Sequence, residues 1–582
     1  MQIQTRSFKF SNAAMIPKVD RTFSDLIRHL ICLVLTVVII QLSAAAQAQL
    51  AANATFTRAD TLRGMLTPMR SCYDVKFYEL ELRVDVKRRF ITGNNGIYFE
   101  AVQNFDSLQI DLTQKFKIEK ITYQGSELIY RRDLNAVIVK FPETQFKGSK
   151  GIIRCYYSGA PIVAKSPPWD GGFVWKKDAN NKDWVGVACE GAGASTWWPC
   201  KDHLSDEPDS MAISFIVPSD LVCVSNGNLR GVEKYEDGTT KWNWFVSYPI
   251  NNYNVTLNLA DYSHFEDLYL EDRDTLNLDY YVLAANIGQA KSHFSQVKPM
   301  LACFEEYFGP YPFMDDGFAL VETNYWGMEH QGAIAYGNNY ENNKSGFDYI
   351  IIHESAHEWW GNNISCADMA DLWIHESFAT YAEALYVECM QGKQAAIDYL
   401  VSQKWQITDA YPIIGPYNVN YQGAKQDNDL YYKGSWMLHT FRNVLADDTL
   451  FFKIIKGIQE HFRHSTVTTD LIVEYINEQA GKDFTPFFDQ YLRHASPPVL
   501  EYRIEKKGTD AKLEYRWNVA VNNFAMPVEV TSSYDYSFGK QNKTYVRISP
   551  TKEWQTILLP GLKPENFDVN TDMYYVKKKL IR

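Results

Sequence analysis

The chain has 582 residues, enough for three or more domains. Apolar residues make up 46% and charged residues 22%, the composition of ordinary globular protein rather than of a disordered or fibrous one. A net charge of −12 argues against a nucleic-acid partner, which would need a basic patch.

In chain order, the first feature is an apolar run from Leu30 to Ile40, broken only by Thr36. Lys9, Lys18, Arg21 and Arg28 precede it, and Ala44-Ala45-Ala46-Gln47-Ala48 follows. This pattern predicts a signal peptide over 1–48 and a secreted or periplasmic protein. The run is short for a bilayer crossing, so no stable membrane span is expected after cleavage. An uncleaved N-terminal anchor is the alternative. Residues 49–70 read as a linker.

A β domain is expected over 71–265. Leu80, Leu82, Val84 and Val86 alternate with Glu81, Arg83 and Asp85, as a half-buried strand requires. Ala136 to Phe141 and Met211 to Val217 read as further strands, and Gly93-Asn94-Asn95-Gly96 reads as a turn between strands. Periodicity changes near Leu268, and a mainly helical domain is expected over 266–496, with Thr485-Pro486 opening its last helix as N-cap and first residue. Ser496-Pro497-Pro498 is a break. The alternation that follows predicts a small β-sandwich over 497–582. Of the eight cysteines beyond the leader, Cys189 with Cys200 and Cys366 with Cys389 are candidate pairs; scattered thiols are the other reading. The fold class is therefore multidomain α+β.

The chemistry centres on His353-Glu354-Ser355-Ala356-His357, followed after 18 intervening residues by Glu376. Histidines at i and i+4 share one helix face and can bind one metal ion. A third ligand from Glu376 leaves a fourth position open, as catalytic zinc sites do. Ile350-Ile351-Ile352 and Trp359-Trp360 embed the motif in apolar sequence, where polar side chains need partners, and Gly361-Asn362 offers a helix stop. One Zn2+ per chain is expected, supplying an activated water and polarising a carbonyl. Glu354 is placed to take the proton of that water.

Further motifs make the chain resemble the aminopeptidase N family of zinc exopeptidases, which have a thermolysin-like catalytic domain and include leukotriene hydrolase as a relative. Trp373 to Tyr381 is similar to that family's W-L-N-E-G-F-A-x-Y. Gly327-Met328-Glu329-His330 is similar to G-x-M-E-N, and Tyr431-Tyr432-Lys433-Gly434 to Y-x-K-G. Trp198 to Asp202 with Asp206-Glu207-Pro208 is similar to a P-C-x-D-E-P region of its N-terminal domain. The resemblance implies His353, His357 and Glu376 as zinc ligands, Glu354 as general base and Tyr431 as oxyanion donor. It implies Glu329 and Glu190 as anchors for a substrate's free α-amine, with Gly327 and Met328 along the substrate backbone. The implied substrates are peptides with a free N-terminus. Four positions depart from the pattern: Trp326, His330, His375 and Ser377. Trp326 and His330 are expected to reshape the first specificity pocket, and His375 to support or pack rather than ligate. The β-tail ending at Arg582 leaves no room for the long helical-repeat domain of larger members, so a more open site is expected. A lipid or epoxide hydrolase and a catalytically dead scaffold are the competing readings; a scaffold would be expected to have lost Glu354, Tyr431 or a ligand, and none is lost.

Overall fold

A computed structural model describes residues 56–271, 274–420, 427–537 and 540–582. The expected signal peptide over 1–48 lies outside the described residues.

The first part is built on an eight-stranded sheet. Its strand Tyr73–Asp85 buries Leu80, Leu82 and Val84 while Arg83 stays exposed, so the alternation does decide which face is packed. It pairs antiparallel with Phe90–Ala101 and parallel with Ser210–Pro218. The turn expected at Gly93–Gly96 is absent. Those four residues lie inside strand Phe90–Ala101, paired on one side with Glu79 to Leu82 and on the other with Arg154 to Tyr157. Tertiary partners override the local turn preference. Buried Asn95 donates to the Pro199 carbonyl at 2.8 Å, and Arg154 donates to Asn94 at 2.6 Å. A Cβ at Gly93 would stand 1.9 Å from the Glu81 carbonyl oxygen, so the glycine allows the close approach.

The segment read as a linker differs as well. Over its described part it forms short helices Arg58–Gly64 and Pro68–Ser71. Thr57 and Asp60 close a capping box at the first. Arg70 is fully buried, donating to Asp111 at 2.7 Å and to the Arg63 and Met65 carbonyls. Neither helix carries an apolar stripe, so their order comes from distant partners that no local pattern announces.

The central part opens with a hairpin, Tyr262–Glu271 with Asp274–Leu283. The expected 265/266 limit falls inside its first strand. The hairpin continues through Phe318–Glu322 and Ile334–Tyr336 to Gly327–Met328, which is the edge strand of this five-stranded sheet. Helices then dominate, among them Tyr349–Ala356, Trp373–Gln391, Tyr432–Leu445 and Thr485–Leu492. The last has Phe484, not Thr485, at the cap position, and Asp483 accepts from the Thr485 amide at 2.9 Å. The C-terminal part has sheets of four and two strands, with Leu513, Trp517, Val528 and Val530 buried, the small β unit expected.

All eight described cysteines are free thiols, so neither candidate pair is bonded. Among the described residues, no helix is long and apolar enough to cross a membrane.

The Asp206-Glu207-Pro208 motif packs the first part together. Asp206 pairs with buried Lys201 and accepts from the Val75 amide at 3.2 Å. Burial pushes the Glu207 carboxyl up to about 7, against a hydrogen bond from Ser365 that lowers it. Its folded-state pKa is raised, so its contribution to stability is complete below about pH 4.5 and is lost as pH rises through about 7. Glu207→Gln is therefore expected to raise the melting temperature at pH 8 by about 2–4 °C and to change it little at pH 5. Calorimetry at the two pH values checks this.

Candidate active site

The helix Tyr349–Ala356 starts at Asp348, whose side chain accepts from the Ile350 amide at 3.0 Å, from Tyr336 at 2.7 Å and from Asn338 at 2.8 Å. The apolar residues Ile350, Ile351 and Ile352 are buried and lock the helix into the core. It ends at Ala356, one turn before Gly361, with His357 still in helical conformation at its cap. His353 and His357 therefore remain one turn apart, with ring centroids separated by 4.9 Å. Gly361 has φ of 130°, and a Cβ there would stand 3.2 Å from His357 Nδ1. Only glycine lets the chain turn so close beside that ring.

Both imidazoles are committed at Nδ1. His353 Nδ1 lies 2.8 Å from Glu383 Oε1, and His357 Nδ1 lies 2.8 Å from the Trp360 carbonyl oxygen. With Nδ1 so engaged, Nε2 is the nitrogen of each ring left to meet a metal. These nitrogens face Glu376 Oε2 at 3.4 and 3.6 Å, and that buried oxygen has no hydrogen-bond partner. The two Nε2 atoms and Glu376 Oε2 thus converge within 4.8 Å of one another. A zinc ion satisfies all three, and the carboxylate and carbonyl behind the histidines are the supports that zinc-binding histidines use.

Two residues of the site lie beyond the reach of the sequence motifs. Glu383 has as its only signal a place seven residues after Glu376 on helix Trp373–Gln391, two turns along the same face. Tyr399 and Gln403 donate to its other oxygen and hold it in place. Tyr253 is the second, and its hydroxyl donates to Glu329 Oε1 at 2.9 Å. No local pattern marks it, because it comes from a single 3-10 turn, Asn252–Asn254, of the first part.

Around the metal ligands lie three more carboxylates. Glu354 follows His353 on the helix. A Cβ at Gly327 would stand 2.5 Å from Glu354 Oε1, so the missing side chain makes room for this carboxylate. Met328 is buried in the core, so only its backbone lies on the sheet edge. Glu329 follows directly. Glu190 arrives just after strand Asp183–Ala188 of the first part. The structure brings Glu190, Glu329 and Glu376 together, with ligand atoms within 4.8 Å of one another. Glu190 Oε1 is buried and unpartnered.

This crowding is electrostatically costly. Burial pushes Glu354 up to about 8; His353 pulls it back and Glu329 pushes further. Burial also raises Glu190, with Glu329 adding to it, and raises Glu329 against the pull of His357. Burial alone would lower His357, but Glu329 and Glu376 raise it to about 9. So many buried carboxylates call for cations, and they lie in two groups: around the histidines and around Glu190 with Glu329.

Tyr431 sits at the start of helix Tyr432–Leu445, its ring centroid 6.3 Å from that of His353. Burial and Glu376 raise its hydroxyl well above the usual phenol range, so it stays a donor. Lys433 anchors this turn, donating to the His494 and Ala495 carbonyls. A Cβ at Gly434 would collide with Ser377 Oγ at 1.8 Å, which explains why the Y-x-K-G glycine faces the helix of Glu376.

The departing residues separate into different places. His375 is buried, and its Nε2 accepts from the Cys366 amide at 2.8 Å; it supports the helix and does not ligate. His330 is fully buried, and burial lowers it to about 3, so it sits inside the packing and not on a pocket wall. Trp326 stays 40% exposed at the outer end of the edge strand.

Comparison with known proteins gives the family. The Peptidase M1 N-terminal domain matches residues 75–253, and the Peptidase family M1 domain matches 293–491. Aminopeptidase N of Lactococcus lactis subsp. lactis is 23% identical over 471 residues, 73% of this chain and 52% of that protein. Human endoplasmic reticulum aminopeptidase 1 is 25% identical over 283 residues, 46% of this chain and 29% of that one. The chain thus spans about half, or less, of the length of these curated relatives. An M1 zinc metallopeptidase mutant from Deinococcus radiodurans, bound to a Tyr-Ser-Ala substrate, superposes with a TM-score of 0.64 at 19% identity. That match covers 73% of this chain and 95% of the other, and the unsubstituted enzyme from the same organism gives 0.63. With both domain models matched in order over more than half of its length, the chain belongs to the M1 family of peptidases.

Proposed function

We propose that the protein is a zinc aminopeptidase that hydrolyses the first peptide bond of peptides with a free N-terminus, using one Zn2+ per chain. The observation that carries this reading is the meeting of Glu190 and Glu329, from two parts of the fold, beside Glu376. A metal-ligand set alone suits any hydrolase. Two buried carboxylates next to it, with Glu190 Oε1 unpartnered, suit an α-ammonium group held at a fixed distance from the reacting bond.

Zinc bound by His353, His357 and Glu376 would supply Lewis acidity toward the scissile carbonyl and the attacking water. Glu354, whose proton affinity burial raises, takes the proton of the attacking water and delivers it to the leaving amine. Tyr431 donates its hydroxyl hydrogen to the carbonyl oxygen as negative charge develops there. Glu329 and Glu190 hold the amine, and Tyr253 orients Glu329. The Gly327–Met328 edge offers backbone groups to an extended peptide, as sheet edges do.

Turnover of a panel of aminoacyl-chromophore substrates by the zinc-loaded protein tests the proposal. Hydrolysis of free-amine substrates is expected, and hydrolysis of none of them overturns it. Tyr431→Phe is expected to lower kcat by about 10²–10³ and to leave zinc content unchanged. Steady-state kinetics with metal analysis checks this; a kcat within a factor of about three of the parent would remove Tyr431 from its role. Export is part of the same proposal, resting on the pattern over 1–48, with a secreted or periplasmic mature chain and an anchored one as its alternative; the mass of the exported protein distinguishes them.

A further inference from the structure

Two tryptophans meet beside the edge strand Gly327–Met328, and the mechanism above uses neither. Trp326 stands immediately before the edge strand Gly327–Met328. Its backbone is held by the Gly337 amide, which donates to the Trp326 carbonyl at 2.6 Å. Its indole Nε1 donates to Asn338 at 3.2 Å. One edge of the ring rests on Tyr349, the first residue of the metal-binding helix, with centroids 5.4 Å apart and planes at 76°. The other neighbour is Trp169, which comes from a loop of the first part, at 5.8 Å and 58°. Although held on these sides, Trp326 is 40% exposed and Trp169 66%. Paired indoles left facing water are the surface that aromatic recognition uses.

The direction of the edge strand says which part of a peptide reaches them. Glu329 lies at one end of Gly327–Met328 and Trp326 at the other, three residues apart, or about 10 Å at the usual strand rise. Under the aminopeptidase reading, on which this inference rests, the substrate amine sits at Glu329. The peptide then runs antiparallel to the edge strand. Gly327 is beside Glu354, so the bond to be cut lies at that level. Trp326 and Trp169 lie farther along, on the leaving side of the cut. This placement differs from the first specificity pocket, where Trp326 was expected.

From this geometry we infer that Trp326 and Trp169 form a subsite for an aromatic side chain on the second or third residue of the substrate. The ring of that residue stacks on the exposed indole faces. The subsite therefore selects peptides by the residues beyond the cut, independently of the first residue.

The test uses the full chain loaded with zinc and three peptides, Leu-Phe-Gly, Leu-Gly-Phe and Leu-Gly-Gly, with released leucine measured. One phenylalanine peptide at least is expected to exceed Leu-Gly-Gly in kcat/KM by about five- to tenfold. Trp169→Ala, at a largely exposed position that folding does not need, is expected to bring that ratio to within about twofold, and Trp169→Phe to retain most of it. Zinc content and melting temperature of the variants confirm an intact site. A parent protein that cleaves all three peptides equally overturns the subsite but not the aminopeptidase. So does a ratio that Trp169→Ala leaves unchanged. Cleavage of none of the three overturns the aminopeptidase reading and the subsite with it.

Discussion

Glu354→Gln is expected to lower kcat by about 10³ or more, with zinc still bound at one ion per chain. Gln keeps the volume and the neighbours of Glu354 but has no site for the proton. The metal ligands should not notice the change, because His353 and His357 are oriented through Nδ1 by Glu383 and the Trp360 carbonyl, not by Glu354. The substitution also removes a buried carboxyl whose ionisation burial opposes, so the variant is expected to be at least as stable as the parent. The measurement is kcat on an aminoacyl substrate together with metal content. A variant that retains activity within about tenfold would show that another group accepts the proton. Loss of zinc together with activity would show instead that Glu354 belongs to the metal-binding set.

The second large effect concerns the amine. Acetylation of a substrate's N-terminus removes the positive charge that Glu329 and Glu190 are placed to meet. The two carboxylates are then covered by the peptide without a counter-charge, a penalty of about 3–5 kcal/mol for a buried pair broken on one side. That corresponds to a loss of about 10²–10³ in kcat/KM or more. Glu329→Ala is expected to produce a loss of similar size on free-amine substrates while zinc affinity changes much less. Tyr253, which donates to Glu329, would lose its partner too, adding to the cost. Paired kinetics on free and acetylated peptides, with parent and variant, make the test. Equal cleavage of the two peptides by the parent would rule out an exopeptidase. A Glu329→Ala protein that cannot hold zinc would assign Glu329 to the metal instead of the amine.

Prediction from sequence succeeds where chemistry is local. His353, Glu354 and His357 lie within one turn and a half of a single helix, and the apolar residues on each side place that helix in the core. The strands with clean alternation, such as Tyr73–Asp85, behave the same way, since a period of two directly sets which side chains are buried. Glu376 is legible because its distance along the chain matches a known spacing. Gly93–Gly96 fails for the opposite reason. Glycine and asparagine have strong local turn preferences, but two neighbouring strands and an inward-facing Asn95 outweigh them. Helices Arg58–Gly64 and Pro68–Ser71 are invisible in sequence, since what orders them is a buried Arg70–Asp111 pair 41 residues apart.

Read as a linear string, the residues suffice for the triad of metal-ligand candidates, the glutamate between the two histidines, and the order of a β part, a helical part and a small β part. Each of these is a matter of spacing along one element or of periodicity, which a linear chain displays. Packing was needed for everything else. It set Glu383 behind His353 and Tyr253 against Glu329, buried His330 inside the core, and turned Trp326 outward to meet Trp169. It also accounts for Gly327, whose missing side chain leaves the space occupied by Glu354. These are contacts between residues from different elements, and their geometry depends on how strands and helices pack, information that no local pattern of residues carries.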